Sequence, residues 1–413
     1  MVKIDDITRN GYTFTDGVGR FNQTLANKCA KECGHQTASA VQIRIGGNFK
    51  GILCVVQDES LQDNECQWRP SQKKFDSDRH VLNVLKFPLD AAHKKHIKQD
   101  PLVENVTRVI KCRMLSDLKW KAWIEVPKSA FLLGVADETG YLSENEIFCQ
   151  IQAPHSEAEI VTGKCTIYRN PCLHPGDVRL VDAVDCPPLR HLKNVIVFST
   201  QGQRDLPNML AGGDLDGDLY SLLWDPRLLI TKVAPPMDYT AQIPERSNHP
   251  VTIEQIKQHF LDFIKNDVLG RICNAHMALA DMRGADDTEC LELARLASKA
   301  VDFSKSGVPV SENEIPQVPE YPDFMGKDYK AIRIFQKQPM NVYPSEKVLG
   351  RMFRTIDPEP VFEEADGAFS GDPRLISLQV SIDYEHYLIA AGQHKAQYEF
   401  GLMGLLRRSE LVL

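Results

Sequence analysis

The chain has 413 residues, and this length predicts two or three domains, because a single hydrophobic core rarely grows so large. Its composition, 43% hydrophobic and 25% charged, is that of an ordinary globular protein and excludes a wholly disordered or fibrous chain. The formal net charge of -8 argues against binding to nucleic acid or anionic membrane through overall basicity, so any polyanion site must be a local cationic groove.

Cysteine usage and the N-terminal sequence indicate the compartment. The 11 cysteines are scattered, without a Cys-x-x-Cys pair or a Cys/His cluster at zinc spacing, so we expect free thiols. The N-terminus lacks the apolar stretch of a signal peptide, and no segment approaches the ~20 apolar residues that span a bilayer. The sequence therefore predicts a protein of the cytoplasm or the nucleus that is not secreted and not a membrane protein.

The first part of the chain, residues 1–89, is predicted to form a β-barrel with a helical insert. Short β-like runs at 12–14, 41–45 and 52–56 are separated by turns. A helical pattern from about Asn22 to Cys33 interrupts them. Several short strands with one helix are typical of a barrel or a sandwich.

A connector and a second β-rich block follow. Residues 90–121 predict a short helical connector, whose cations are Lys94, Lys95, Lys98, Arg108, Lys111, Arg113, Lys119 and Lys121. This basic segment either follows an RNA backbone or presents a solvated helical face. Residues 122–232 resemble the first block in composition, with turns at Pro175-Gly176 and Gly212-Gly213, and predict a second barrel.

The remaining residues, 233–413, are predicted to be mainly helical. After a proline-rich stretch, one helical face carries Ile253, Ile256, Phe260, Phe263 and Ile264. Thr252 and Gln255 have the spacing of a capping box at the start of that helix. A second helix, over about 287–303, places one stripe at Leu291, Ala294, Ala297, Ala300 and Val301. Residues 374–413 are also predicted to be helical.

The segment with the most chemical information contains three carboxylates. Asp214, Asp216 and Asp218 alternate over five residues, between apolar runs and beside glycines. On a strand they would share one face, and on a turn they would converge on one point. Three like charges held together are costly without a counter-cation. Hard oxygen ligands at this spacing suit Mg2+, which keeps several waters and shares its coordination shell with substrate phosphates.

On sequence alone, two other interpretations of this cluster remain open: a calcium-binding loop and an exposed acidic turn. The alternation resembles the start of an EF-hand calcium loop, and Asp225 stands at the twelfth position, but Leu219 occupies the place where that loop requires glycine. An exposed acidic turn would not need the flanking Gly212-Gly213 or the apolar strands on both sides.

A carboxylate-held metal that is open to phosphates indicates phosphoryl or nucleotidyl transfer. In the two-metal form of this chemistry, one ion activates the attacking hydroxyl and a second, ~4 Å away, neutralises the leaving oxygen. The chain contains no Walker A loop, dinucleotide-binding glycine fingerprint or zinc-protease motif. Kinase, dehydrogenase and zinc-protease functions therefore lose their main support.

Several motifs stand in a definite order along the chain. They are Phe14–Arg20, Gln42–Gly47, Lys50-Gly51, Arg69–Phe75, Arg169–Asp177, Gly212–Asp218, Ala300–Gly307 and Tyr321–Met325. Together they resemble the motifs of the cellular RNA-dependent RNA polymerases of eukaryotic RNA silencing. Ordered motifs are far more specific than any one of them alone.

The resemblance implies a mixed α+β fold with two double-psi β-barrels, together with connecting and C-terminal helices. It implies that Asp214, Asp216 and Asp218 bind catalytic Mg2+, for which Mn2+ could substitute. It also assigns Lys50 and Lys74 to the lysines that face the site from the first barrel. A cation there can hold the triphosphate or the growing RNA end and offset transition-state charge.

Further residues receive less specific roles from the resemblance. Arg44, Arg69, Arg169 and Arg204 are candidates for nucleotide or RNA contact. For Arg169 and Arg204 a structural salt bridge is the competing role, and for Arg69 it is a barrel-closing position. Backbone geometry is the role expected of Gly212, Gly213 and Gly217, because glycine turns freely through positive φ.

The expected function is RNA synthesis on a single-stranded RNA template from nucleoside triphosphates, with possible RNA-silencing proteins as partners. Relative to the family, the segment from Asp76 to Glu125 is short and long outer regions are missing, so the chain is expected to be a catalytic-core fragment. An alternative is a catalytically impaired module that binds RNA or a silencing complex. A third hypothesis is a DNA-templated polymerase subunit, because the barrel pair is shared between the two polymerase classes.

Overall fold

The chain divides into two compact units in a computed structural model, which describes residues 1–33, 35, 37–45, 49–58, 61, 65–74, 82–86, 101–153, 156–240, 251–265, 267–326 and 341–357. The first unit comprises Met1–Lys94 and Glu125–Pro344, and the second comprises Lys95–Ile124 and Ser345–Leu413. The helix predicted over 374–413 lies outside the described residues. Among the described helices, none combines the length and the apolar character needed to cross a bilayer.

The first unit begins with a sheet of six strands and one helix. Its elements are β1 Val2–Lys3, β2 Thr8–Arg9, β3 Tyr12–Thr13, β4 Val18–Phe21, α1 Gln23–Glu32, β5 Ala40–Ile45, β6 Phe49–Val55, β7 Cys66–Trp68 and β8 Leu82–Lys86. The order of the six-stranded sheet is β1-β7-β4-β6-β5-β8, while β2 and β3 form a separate hairpin. The helical insert is confirmed, and the Asn22 side chain caps it by accepting a hydrogen bond from the Leu25 amide.

The second β-rich block closes into a barrel. In sequence, one helix of the second unit, α2 Pro101–Lys121, precedes it. The elements of the block are β9 Ser129–Ala136, β10 Glu146–Ile151, β11 Glu159–Ile160, β12 Gly163–Tyr168, β13 Arg179–Ala183, β14 Val195–Phe198, α3 Leu206–Met209 and β15 Leu219–Leu223. The ring runs β10-β13-β12-β15-β9-β14 and closes because β14 also pairs with β10.

Buried side chains lie along the strands of this barrel. All four residues of β14, Val195–Phe198, are buried, as are Phe148 of β10 and Tyr220 of β15. A six-stranded ring is narrow enough for side chains to fill it, and closure leaves no unpaired strand edge among the six. The predicted mixed α+β fold with a barrel is therefore confirmed for the second block.

The first block differs from the second in its pairing. In the residues that the structure describes, its edge strands β1 and β8 pair with no further strand, and the sheet is open. One of the two predicted barrels is thus observed, and the other stays a prediction. Buried residues of both blocks, among them Val18, Ile52, Leu133 and Phe198, nevertheless belong to one continuous hydrophobic core.

Helices follow the barrel. They are α4 Ile253–Lys265, α5 Leu269–Arg283, α6 Thr288–Val301 and α7 Phe303–Ser306, followed by the short paired strands β16 Tyr321–Pro322 and β17 Val342–Tyr343. The capping box is confirmed, because the Gln255 amide donates to Thr252 Oγ1 at 3.3 Å and the Thr252 amide donates to Gln255 Oε1 at 2.9 Å. Buried residues of α5 and α6, including Ile272, Leu279 and Leu293, form a second core cluster.

Two helical stripes predicted from the sequence differ from the observed burial. Only Ala294 and Ala297 of the α6 stripe are buried, and Val301 is exposed, because the buried face is centred on Leu293 and Leu296. On α4 the whole predicted stripe, including Ile253 and Phe260, is exposed. Periodicity identified the apolar face of each helix, but it did not determine which residues of that face are covered in the described part of the chain.

The second unit contains α2 and α8 Val348–Thr355 among its described residues. The two helices meet where the ring of Trp120 packs edge-on against Phe353, at 5.1 Å between centroids. The Lys119 ammonium lies 5.1 Å from the Phe353 ring centroid, which is cation–π distance. The segment expected to be a helical connector thus contains a helix with its own aromatic partner.

Candidate active site

The three aspartates lie on a loop between α3 and β15, and the loop has a backbone that suits glycine. Gly212 has φ +63° and Gly217 has φ +131°, in the region that other residues rarely adopt. A side chain at Gly217 would collide with Gln42. Gly213 has no positive φ, and its role is close packing, since a Cβ there would lie 2.8 Å from Arg169 Cδ and 2.8 Å from Tyr220 Oη.

The carboxylates of Asp214, Asp216 and Asp218 converge. One ligand oxygen from each lies within 4.8 Å of the others, and all three residues are half-buried. The loop helps to hold them, because the Asp214 amide donates to Asp218 Oδ2 at 3.1 Å and the Asp216 amide donates to Asp214 Oδ1 at 3.2 Å. From the barrel wall, the Tyr220 hydroxyl donates to the Asp214 carbonyl oxygen at 2.8 Å.

This convergence has an electrostatic cost. Burial, together with the neighbouring charges of Asp216, Asp218 and Asp16, raises the pKa of Asp214 to about 7. A divalent cation would relieve that repulsion. The donor set consists of carboxylate oxygens, which are the ligands that Mg2+ prefers, so the residues present fit such an ion.

A calcium loop does not fit the observed positions. Asp225, which would supply the twelfth-position ligand, caps the turn at Pro226–Leu228 and forms an ion pair with Arg227 at 2.6 Å. Its carboxylate is therefore engaged away from the three aspartates. The exposed acidic turn fits no better, because the aspartates are only partly accessible and Leu215 between them is buried.

One lysine from the first block reaches the cluster. Lys50, on β6, forms an ion pair with Asp216, with its side chain 35% exposed and therefore also accessible to solvent. Arg44 lies directly opposite Lys50 in the antiparallel β5–β6 pair and is exposed. Residues directly opposite in such a pair share a face of the sheet, so these two cations line the same side.

Lys74 takes a different position from Lys50. Its ammonium donates to the Ser71 carbonyl oxygen at 2.8 Å, and the side chain is exposed. The Ser71 hydroxyl accepts a hydrogen bond from the Gly17 amide at 3.1 Å, and Gly17 abuts Asp216. Lys74 is thus bonded to Ser71, whose hydroxyl also accepts a hydrogen bond from Gly17, the residue that abuts Asp216.

The remaining arginines have structural partners. Arg169 pairs with Asp218, with Nε 2.6 Å from Oδ2, and also donates to the Ala211 carbonyl oxygen at 3.1 Å. Arg204 donates to Asn208 Oδ1 and to the Met237 carbonyl oxygen, each at 2.8 Å. Arg69 is 1% exposed, so its guanidinium serves the interior of the fold in this structure.

The sequence indicated the three aspartates but not the residues of the first block that contact the aspartate loop. The Leu215 amide donates to the Asp16 carbonyl oxygen at 3.0 Å, and the Gln42 side-chain amide donates to the Asp216 carbonyl oxygen at 3.0 Å. Gly17, with φ +82°, leaves no room for a side chain, since a Cβ would lie 2.7 Å from Asp216 Cβ. The ordered motifs include Asp16, Gly17 and Gln42. Membership of those motifs is the signal in the sequence that could have identified these three residues.

The chain matches the family model "RNA dependent RNA polymerase" over residues 1–91 and 83–356. It is 32% identical to a probable RNA-dependent RNA polymerase 1 of Oryza sativa subsp. japonica, covering 98% of this chain and 62% of the relative. It is 33% identical to RNA-dependent RNA polymerase 1 of Schizosaccharomyces pombe, covering 85% of this chain and 36% of the relative. The chain thus spans between about a third and two thirds of these relatives.

A solved structure shares the fold. The RNA-dependent RNA polymerase QDE-1 from Thielavia terrestris superposes with a TM-score of 0.64 over 88% of this chain and 52% of that chain. The sequence identity of that pair is 18%, so the likeness concerns the fold alone.

Proposed function

The chain belongs to the RNA-dependent RNA polymerase family, and we propose that it carries the catalytic core that joins nucleotides into RNA on a single-stranded RNA template. The observation that carries this proposal is the convergence of Asp214, Asp216 and Asp218 with Lys50, from two separate β-rich blocks. An acidic centre with an adjacent cation is what nucleotidyl transfer requires.

The proposal gives each side chain a task. Asp214, Asp216 and Asp218 would hold Mg2+, or Mn2+ in its place. The bound metal supplies Lewis-acid polarisation of phosphate and hydroxyl oxygens. Lys50 would bind the phosphates of the incoming nucleoside triphosphate and offset the charge that develops during transfer. Arg44 and Lys74, both exposed, would extend this cationic side toward the triphosphate or the RNA backbone.

We further propose that residues 1–89 complete a second barrel beside the one formed within 122–232. The resemblance supports double-psi topology for both, and the parallel β4–β6 pair inside a mostly antiparallel sheet is compatible with it. A role in RNA silencing, with silencing proteins as partners, follows from the resemblance alone, whereas a location in the cytoplasm or the nucleus is proposed from the cysteine usage and the N-terminal sequence.

The impaired-module alternative is not favoured. It required that the shortened connector keep the two blocks apart, so that Lys50 and Lys74 could not face the aspartates. Instead, Lys50 pairs with Asp216, and Leu215 bonds to the backbone of Asp16 in the first block.

The test is nucleotide incorporation by the purified chain with Mg2+, nucleoside triphosphates and single-stranded RNA. We expect Asp216→Ala to lower incorporation by about 1,000-fold or more, because a metal ligand is lost. Asp286→Asn, which neutralises an exposed aspartate far along the chain, is the control and should leave the rate unchanged.

Two results would count against the proposal. Incorporation that survives Asp216→Ala would contradict the metal assignment, and a wild-type chain without incorporation would contradict activity of this chain alone. Single-stranded DNA supplied in competition with RNA distinguishes the DNA-templated alternative, which predicts preferential copying of DNA.

A further inference from the structure

A buried carboxylate joins the two β-rich blocks away from the aspartate loop. Glu138 follows β9 of the closed barrel, and its side chain is 8% exposed. Arg69 of the first block binds it through two hydrogen bonds, Nη1 to Oε1 at 2.7 Å and Nη2 to Oε2 at 2.8 Å. Arg20 of β4 donates from Nε to Oε2 at 2.8 Å. One carboxylate of the barrel is therefore held by two cations of the neighbouring sheet.

This cluster is more than an exposed ion pair. Burial acts to raise the pKa of Glu138, but the hydrogen bonds and charges of Arg69 and Arg20 outweigh it and hold the pKa below its usual value. The bidentate geometry fixes the direction of approach as well as the distance. A buried charge that loses its partner is strongly unfavourable, so these three residues stay together when the blocks pack.

Arg69 is also connected to the aspartate loop by a short series of hydrogen bonds. Its Nη1 donates to the Val18 carbonyl oxygen at 2.8 Å, and its amide donates to Gln72 Oε1 at 3.1 Å. The Gln72 side-chain amide in turn donates to the carbonyl oxygens of Gly17 at 3.3 Å and Ile52 at 3.1 Å. Gly17 abuts Asp216, and Ile52 lies on β6, two residues after Lys50.

We propose that Glu138, acting through Arg69 and Arg20, is a positioning residue that sets the first block against the aspartate loop so that Lys50 faces Asp216. The proposal rests on the proposed function only where it concerns turnover, because the contacts themselves do not depend on catalysis. The proposal also gives Arg69 a structural role instead of RNA contact. The Arg69 side chain is 1% exposed and its guanidinium is bonded to Glu138, so it joins the two blocks and is not accessible to RNA.

The first experiment measures structure and needs no activity. Amide hydrogen exchange is compared between the wild-type chain and Glu138→Gln, which keeps the size of the side chain and removes its charge. We expect exchange to accelerate by on the order of tenfold at the amides of Gly17 and Leu215, which bond to Ser71 and Asp16. The interior amides of β14 should keep their protection.

The matched control is Glu144→Gln, the same change at an exposed residue in the loop that follows β9. It should leave exchange at both amides unchanged. Unaltered exchange at Gly17 and Leu215 in Glu138→Gln would overturn the proposal, and so would a uniform rise throughout the barrel, which indicates general destabilisation. If Glu138→Gln fails to fold, Arg20→Gln replaces it, because Arg20 is 24% exposed and borders a cavity of about 380 Å³.

The second experiment asks whether Glu138 acts through Lys50. At saturating nucleotide we expect Glu138→Gln to lower kcat on the order of 10- to 100-fold in the wild-type background, as misplacement of a catalytic group does. In a Lys50→Ala background the same change should lower kcat less than about threefold, because the residue being positioned is gone.

Equal losses in the two backgrounds would overturn the positioning role. The conservative variant Glu138→Asp keeps the charge and should recover part of kcat, which a loss of bulk packing would not explain. If the wild-type chain shows no incorporation, the proposed function fails, while the exchange experiment still decides the positioning proposal.

Discussion

The two β-rich regions contribute different parts of the site and are built differently. The closed barrel carries all three aspartates on a single loop, which its own amides and Tyr220 support. The six-stranded sheet contributes Lys50 and a backbone surface formed by Asp16 and Gly17. The acidic half of the site is thus local in sequence and has one cation of its own block, Arg169, whereas Lys50 reaches it only when two separate scaffolds pack together.

The convergence of the carboxylates depends mainly on the sequence of one loop, whereas the position of Lys50 depends on how the two regions pack. The three carboxylates lie within five residues of one another on a single loop, but a lysine pairs with them only if distant backbone is correctly positioned. The contacts between the regions include ion pairs that centre on Glu138 as well as apolar packing. Variants that affect one region and spare the other should therefore have distinguishable effects.

The largest effect is expected from removing the cation that the sheet contributes. Lys50→Ala should lower kcat by about 100- to 1,000-fold, since one preorganised group that stabilises developing charge is lost. Thermal unfolding should change little, because the side chain is partly exposed. Lys31→Ala, at an exposed position on α1, is the control. An unchanged kcat in Lys50→Ala would mean that the sheet supplies no catalytic charge.

A smaller effect is expected from a change at Gly17, where the backbone of the first block contacts Asp216. Gly17→Ala should lower kcat by about tenfold, because its φ of +82° is unfavourable for alanine and the new Cβ would overlap Asp216. Gly11→Ala is a close control, since Gly11 has φ +83° and open space around its Cβ position. A larger loss of kcat in Gly17→Ala than in Gly11→Ala would show that overlap with Asp216 adds to backbone strain. Equal losses of kcat in the two variants would show that strain alone lowers the rate.

The barrel side is tested by Tyr220→Phe, which removes the hydroxyl that donates to the Asp214 carbonyl oxygen. Leaving a buried carbonyl without its partner should cost about 1–3 kcal/mol of unfolding free energy. Metal affinity, measured by calorimetry with Mn2+, should fall by a few-fold because the loop is less well held. Tyr141→Phe, at a side chain that is 70% exposed, should change neither quantity.

The smallest effect is expected in the pH dependence of the stability of the metal-free chain. The ordinary Asp pKa of 3.8 is raised to about 7 at Asp214, so the folded state favours the protonated carboxyl. That stabilisation is fully present below about pH 4 and is lost as the pH rises through 7. We expect the unfolding midpoint of Asp214→Asn to lie above that of the wild type by a few degrees at pH 8 and to converge with it below about pH 4.

Differential scanning calorimetry in the presence of a chelator measures this difference. Asp286→Asn should show no pH-dependent difference, because that carboxylate is exposed. A wild-type chain as stable as Asp214→Asn at pH 8 would contradict a repulsive cluster in the metal-free protein.

Much of the acidic half could be predicted from the sequence, because alternating aspartates beside glycines are a local pattern. Helix α1 and the capping box at Thr252 were predictable for the same reason. Other features depend on contacts between distant residues. A structural, barrel-closing position was one alternative for Arg69, but nothing near it in the sequence indicates that its partner is Glu138. The apolar stripe on α4 shows the same limit, since periodicity defines a face and not what covers it.

The separation of the two halves along the chain also has a consequence for synthesis. Gln42 and Asp216, which bond in the finished site, are 174 residues apart. A ribosome adds about 5–20 residues per second, so roughly 10–35 s pass between the two. For most of that interval the nascent chain contains Lys50 without the aspartates that pair with it. Lys50 is therefore synthesised before the aspartates, and the two can meet only after the aspartate loop has been translated.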